Sequence, residues 1–357
     1  MKFQILLTFS FLVYLVNAQE ISIKTYLDNE VNETSGLLNL NGKIYTLNDS
    51  GGEAIVYELD TINGSVLNRK YITNATNIDW EALTADNNFV YIADFGNNNG
   101  SRTNLRIYKV SISNFVQTDS LVADTIQFSY ENQTDFTPSN SHNFDAEAIV
   151  ALDDSLYIFT KNWGNFKTYI YSLSKNEGIS TAYLKDSVST EGLTTDAVYN
   201  EAKQQMVLLG YSFLCILNEV NSTFDSFSSF EIENIILPPN SSFQTEGICN
   251  SQNAYFISAE SFNGNTQVLY QYKNTPTAIN TVENKNISIY PNPANGYINI
   301  EHTGKDLLYS EVYNIGGEKI LTTAKTHLSL TGLSKGTYLI KIYTNNALIK
   351  TEKFIIK

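Results

Sequence analysis

From residue 21 to residue 273 the chain is a succession of short stretches in which apolar and polar residues alternate, rich in Tyr, Ile, Val and Phe. Few segments show helical spacing. The stretches fall into sets of four joined by short turns: SGLLNL, KIYTLND, AIVYELD and VLNRKYI, then WEALTA, FVYIADF, LRIYKVSI and TIQFSY. A third set is AEAIVAL, SLYIFTKNW, KTYIYSLS and TAYLKDSV, and a fourth is TEGLTTDAVY, QQMVLLGYS, FLCILNEV and FSSFEIE. Four strands in about 40–50 residues is the blade signature of a propeller, although WD and kelch motifs are absent. The fold class expected is all-β, a five-bladed β-propeller over residues 19–273. Six blades is the alternative if the long 131–144 insertion conceals strands.

The last unit is incomplete. After EGIC, AYFISAE and QVLYQYK comes TPTAINTVENKN, which reads as a linker over 274–286. Its missing outer strand can be supplied by ISIKTYL at 21–27, which otherwise has no partner. Closing the ring this way removes an exposed strand edge.

Both ends carry addresses. MKFQILLTFSFLVYLVNA has one lysine, an apolar run and a small-residue end, the layout of a signal peptide over residues 1–18 cleaved before Gln19. An uncleaved anchor is the alternative, but the run is short for a membrane span and no later run could cross a bilayer. From 287 to 357 the composition changes to short strands with Gly and Asn turns, which fit a small β-sandwich. Tyr290-Pro291-Asn292-Pro293, the Gly316-Gly317 turn after VYNI, the LSKGTYLIKI pair and the terminal KFIIK resemble the C-terminal sorting domain of type IX secretion substrates. That resemblance implies the type IX secretion machinery as a partner and a secreted or cell-surface location.

Formal charge is -14 and the pI about 4.7. Such a chain repels phosphate backbones, so nucleic acid is not an expected partner, whereas hard cations are. A monomer is expected. Two cysteines, Cys215 and Cys249, fall in apolar strands of successive units and read as buried thiols. With three scattered histidines they offer no zinc spacing.

Four stretches place a carboxylate where an apolar strand begins: DWEAL at Glu81, DAEAI at Glu147, STEGL at Glu191 and QTEGI at Glu246, with Ser35 of SGLL in the corresponding place. In a blade, the loop entering the first strand and the loop leaving the second open on one face. Entry loops therefore bring Glu33, Asp79, His142 and Asp145 to the same mouth as the four glutamates. Exit loops add Asn48 and Asp49 of NDSGG, Asp94 and Arg102 of DFGNNNGSR, Lys161 of TKNW, Tyr211 and Glu260. Two carboxylates about 6 Å apart repel by roughly 2.8 kcal/mol at an effective dielectric of 20. The ring therefore calls for protons, internal cations such as Lys161 and Arg102, or a metal. Calcium is the expected cofactor, with Glu81, Glu147, Glu191 and Glu246 as ligands. Alternatively, each glutamate accepts backbone N–H groups from the next blade. DFGNNNGSR fails the EF-hand template, since with Gly100 as the template's glycine the first position falls on Phe95 and not on an acid.

SGL, NDSGG, DWEAL and ADFGNN with a following arginine resemble exported propellers of the SdiA-regulated and phytase-like groups. Phytase-like propellers hold phosphate on a calcium-filled acidic face, but here the basic contacts reduce to Lys161 and Arg102. The expected function is recognition of an extracellular ligand at an acidic, calcium-binding face. The alternative is a metal-dependent hydrolase of a phosphoester, lactone or ester, with Glu147 or His142 as base. His302 and His327 fall in the C-terminal segment, so no Ser-His-Asp or Cys-His set can be assembled in the propeller around His142 alone.

Overall fold

The computed structural model describes residues 18–190, 192–211, 213–218, 220, 230–237, 244–275, 287–302, 308–314, 319–344 and 347–357. Apart from Ala18, the expected signal segment lies outside them, as does most of the expected linker. The chain forms two compact units, divided between Asn274 and Thr275.

In the larger unit the first blade runs Thr34–Leu40, Lys43–Asn48, Ile55–Leu59 and Val66–Ile72. The second runs Trp80–Ala85, Phe89–Asp94, Arg106–Ser111 and Asp124–Tyr130. The third is Ala146–Leu152, Ser155–Thr160, Lys167–Ser174 and Gly178–Ser189, and the fourth Thr194–Asn200, Gln205–Gly210, Phe213–Leu217 and Ile232–Ile236. Thr245–Ser251, Ala254–Ala259 and Val268–Thr275 make the fifth, completed by the N-terminal strand Ala18–Tyr26 at its outer edge. The innermost strands touch in sequence order and the fifth returns to the first, so the described residues close a ring of five. The 131–144 insertion contains no strand.

Middle strands such as Ser155–Thr160 and Phe213–Leu217 are buried along nearly their whole length, whereas an outer strand such as Asp124–Tyr130 alternates buried and exposed residues. One core cluster fills each gap between neighbours. Leu38, Tyr45 and Leu47 meet Trp80, Val90 and Tyr108 between the first two blades. Leu27, Leu37 and Ile44 meet Cys249, Phe256 and Leu269 where the fifth meets the first. Outer edges are covered in two places: Asp124–Tyr130 pairs in parallel with Gly178–Ser189, and Tyr71-Ile72 with Ser120-Leu121. Cys215 and Cys249 are buried and form no disulfide.

The smaller unit has a three-stranded and a four-stranded sheet, with Ile298, Val312, Ile340, Ile342 and Phe354 in its core. No helix among the described residues is long and apolar enough to cross a membrane.

The sequence misplaces one element. TEGLTT suggests that the fourth blade begins at Glu191, yet its inner strand begins at Thr194 and Glu191 lies outside the described residues. Its outer strand is Ile232–Ile236, which overlaps only the end of the FSSFEIE stretch expected to form it; the start of that stretch lies outside the described residues.

Candidate functional site

Every inner strand carries a register shift near its start. Pairing skips from Trp80 to Ala82, from Ala146 to Ala148 and from Thr245 to Gly247, leaving Glu81, Glu147 and Glu246 as the extra residues. A bulge takes its residue out of the strand's alternation and re-aims the side chain. This is why a glutamate can open a buried strand. In the first and fourth blades the extra residue is Gly36 and Thr195, so Ser35 and Glu191 are not the positional equivalents of the glutamates. Gly36 has φ 43°, and a Cβ there would lie 2.8 Å from the Ala82 Cα, where the first two blades meet.

The bulged glutamates share a cavity of about 170 Å³ with Asp49, Lys161, Trp163, Tyr211 and Glu260. It has two electrostatic halves. In one, Lys161 Nζ lies 3.2 Å from Glu147 Oε1, with both side chains buried. Burial pushes Glu147 up, and the ammonium opposes that rise. Glu246 is raised to about 7 by burial, with Lys161 again opposing.

In the other half, carboxylate oxygens of Asp49, Asp79 and Glu81 all lie within 4.8 Å of one another. Glu81 is 5% exposed, and no hydrogen-bond or ion-pair partner of its carboxylate is found among the described residues. Burial first, then Glu147, Asp49 and Asp79, push it well above the usual carboxylate range. Asp79 is raised to about 7 by burial and Asp49, against the pull of Arg102. Gly96 makes this crowding feasible, because a Cβ there would sit 2.2 Å from Glu81 Oε1 and 2.6 Å from Asp79 Oδ2. The structure thus brings Glu81 together with two aspartates, in the cavity it shares with Glu147 and Glu246.

The remaining expected residues hold the mouth in shape. Arg102 Nη2 donates to Asp94 Oδ1 at 2.8 Å and Nη1 to the Gly96 carbonyl at 2.6 Å, bracing its own loop. Asp145 accepts from the Asn97 amide at 2.6 Å and from Trp163 Nε1 at 2.8 Å, tying the second blade to the third. Asn48 donates to the Glu30 carbonyl. His142 has both ring nitrogens occupied: Nδ1 accepts from the Phe144 amide at 3.2 Å and Nε2 faces the Asn98 carbonyl at 2.9 Å. It offers no free base. Glu260 bonds Gln244 and is raised to about 8, chiefly by burial.

Sequence reading missed Asp196. It is fully buried just below the mouth, accepting the Ile248 amide at 2.7 Å, its neighbour Ala197 at 2.8 Å and Leu37 at 3.4 Å. The available signal was a charged residue within the inner strand Thr194–Asn200.

Glu246 and Glu260 set a pH dependence. Their folded pKa values, about 7 and about 8, lie above the ordinary glutamate range, so the folded state binds more protons than the unfolded one. Their contribution is complete below about pH 4 and is lost as pH rises through 7 to 8. Thermal melts in metal-free buffer should show a lower melting temperature at pH 8 than at pH 6.

Residues 288–357 match the secretion system C-terminal sorting domain. A search of curated proteins finds no match. Among solved structures, the chain is similar to an exo-β-1,3-galactanase from Clostridium thermocellum, at 11% identity and TM-score 0.44, covering 92% of this chain and 82% of that one. It is also similar to a putative exported protein from Bacteroides fragilis, at 9% identity and TM-score 0.39, covering 73% and 97%. A protein from Lactobacillus plantarum shares 12% identity at TM-score 0.34, covering 82% and 86%. At this level of likeness, what the galactanase acts on says nothing about this chain.

The molecule is therefore a secreted or cell-surface protein of propeller fold, with a C-terminal domain addressed to the type IX secretion machinery. Removing residues 287–357 is expected to leave the larger unit folded, since each unit has its own core. Export should stop, with the truncated chain held in the periplasm. Immunoblots of periplasmic and external fractions check this, and normal delivery of the truncated chain would contradict it.

Proposed function

We propose that the mouth of the propeller holds one divalent cation and uses it to recognise an extracellular ligand. The observation that carries this is the Asp49, Asp79 and Glu81 oxygen cluster, with Glu81 buried and without a hydrogen-bond or ion-pair partner among the described residues. Three carboxylates crowded together need either protons or a cation, and a cation lets all three ionise. The donors are hard oxygens with no sulfur or imidazole, which suits calcium. Bound there, calcium would supply charge compensation and open positions toward the cavity.

A phosphate-directed role finds little support, because both nearby cations are engaged. Lys161 pairs with Glu147, and Arg102 braces Asp94 and Gly96. One observation favours hydrolysis as a second reading: Glu246 and Glu260 line the same cavity as Asp49 and Glu81, and burial raises both carboxyls toward neutral pH.

Calorimetric titration of the exported chain with calcium is expected to show one equivalent bound. Asp79→Asn should weaken that binding at least tenfold, and absence of calcium uptake by the wild type would overturn the reading. A panel of phosphoesters, lactones and esters separates the two roles. Ligand recognition predicts no turnover, and turnover that stops on chelation would establish the hydrolase instead.

A further inference from the structure

We propose that the mouth contains two cation positions, and that the second is filled permanently by the chain's own Lys161, which thereby restricts the mouth to a single divalent ion. The first position is the one assigned above, and the inference rests on that reading for the wild-type stoichiometry. The second is built from Glu147, Glu246 and the ring faces of Trp163 and Tyr211.

Lys161 Nζ is 3.2 Å from Glu147 Oε1, with the two side chains 7% and 3% exposed. It stands 5.1 Å from the centroid of the Tyr211 ring and 5.4 Å from that of Trp163. An ammonium paired with one carboxylate, facing two aromatic rings and sharing its cavity with Glu246, combines ion pairing with attraction to ring quadrupoles. The cradle is rigid on one side, since the Trp163 indole is pinned through Nε1 by Asp145. Lys161 itself is anchored at its backbone, its amide donating to the Asp145 carbonyl at 2.7 Å.

The two positions line one small cavity yet differ in what fills them. Glu147 has a counter-charge within hydrogen-bond reach, whereas Glu81 has none among the described residues. A lysine at 161 thus acts as a tethered monovalent competitor for the second position. A neutral residue of similar length would vacate the position and leave Glu147 and Glu246 free for a second divalent ion.

The test compares wild type, Lys161→Met and the double variant Lys161→Met with Glu147→Gln, as exported chains titrated with calcium chloride. Stoichiometry is read by calorimetry and by elemental analysis after gel filtration, with circular dichroism to confirm folding. Wild type should take up one equivalent, Lys161→Met two, and the double variant one. Lys161→Gln is measured in parallel, so that a folding failure of the methionine variant leaves the comparison intact. One extra equivalent in either single variant relative to wild type supports the inference. Equal uptake by folded wild type and variants overturns it. Uptake by Lys161→Met with none by wild type would overturn the Asp49, Asp79 and Glu81 assignment while still supporting the role given to Lys161.

Discussion

Deleting residues 19–28 is expected to lower the melting temperature of the propeller by about 10–20 °C, far more than removing the C-terminal domain. The strand Ala18–Tyr26 is the fourth strand of the last blade, paired with Val268–Thr275. Immediately after it, the Leu27 amide bonds the Gln267 carbonyl and the Asp28 amide bonds that of Gly64, so one segment joins the fifth blade to the first. Gly64 has φ 78°, and its Cβ position would lie 1.8 Å from the Tyr26 carbonyl oxygen, which shows how closely the segment packs. Leu27 belongs to the core between those blades, and Ile21 packs against the cluster between the fourth and fifth. Losing the buried Leu27 side chain costs about 1.5–3 kcal/mol, and the partly buried Ile21 adds a smaller share. The loss of ladder hydrogen bonds along Val268–Thr275 adds to this and leaves an edge open to aggregation. Scanning calorimetry of the deleted and full chains checks the prediction, and unchanged melting would show that closure does not depend on this strand.

Asp196→Ala is the most damaging single substitution expected, at about 3–5 kcal/mol. Its carboxylate receives amides from the first, fourth and fifth blades, all buried where the inner strands converge. Burial pushes the carboxyl up while those amides pull it back, so the group is retained for its bonds rather than for its charge. Removing it leaves two short hydrogen bonds and one long one without an acceptor, at about 1–3 kcal/mol for each orphaned donor. Asp196→Asn keeps one acceptor oxygen and should cost less. Urea unfolding of the three proteins ranks them, and an alanine variant as stable as wild type would mean that water satisfies those amides.

Much of the fold was legible because blade strands are short, alternate and repeat. The unpaired ISIKTYL segment and the truncated last unit pointed to the same closure from opposite ends of the chain. The sorting domain was legible for another reason, since several ordered motifs fall together in one terminal stretch. The site was harder. Glu81, Glu147 and Glu246 could be gathered at one mouth from loop position alone, but their common place is a bulge, fixed by pairing with the second strand. Local sequence does not show that pairing. The TEG of 190–192 copies the TEG of 245–247 without sharing its register, so Thr195 replaces the expected Glu191. The division of the mouth was likewise invisible. Whether Lys161 reaches Glu147 or Glu81 depends on side-chain paths across two blades.

The central claim, a divalent cation held by Asp49, Asp79 and Glu81, is tested most directly by melting wild type, Glu81→Gln and Glu147→Gln at pH 8, in calcium and in chelator. A ligand at a hundredfold its dissociation constant adds about 2.7 kcal/mol, or about 5–10 °C for a domain of this size. Wild type should gain that increment in calcium, and Glu81→Gln should lose it. Glu147→Gln should melt lower in both buffers, because Lys161 loses its ion-pair partner, yet keep its response to calcium. A wild-type melting temperature that is the same in calcium and in chelator would contradict the account.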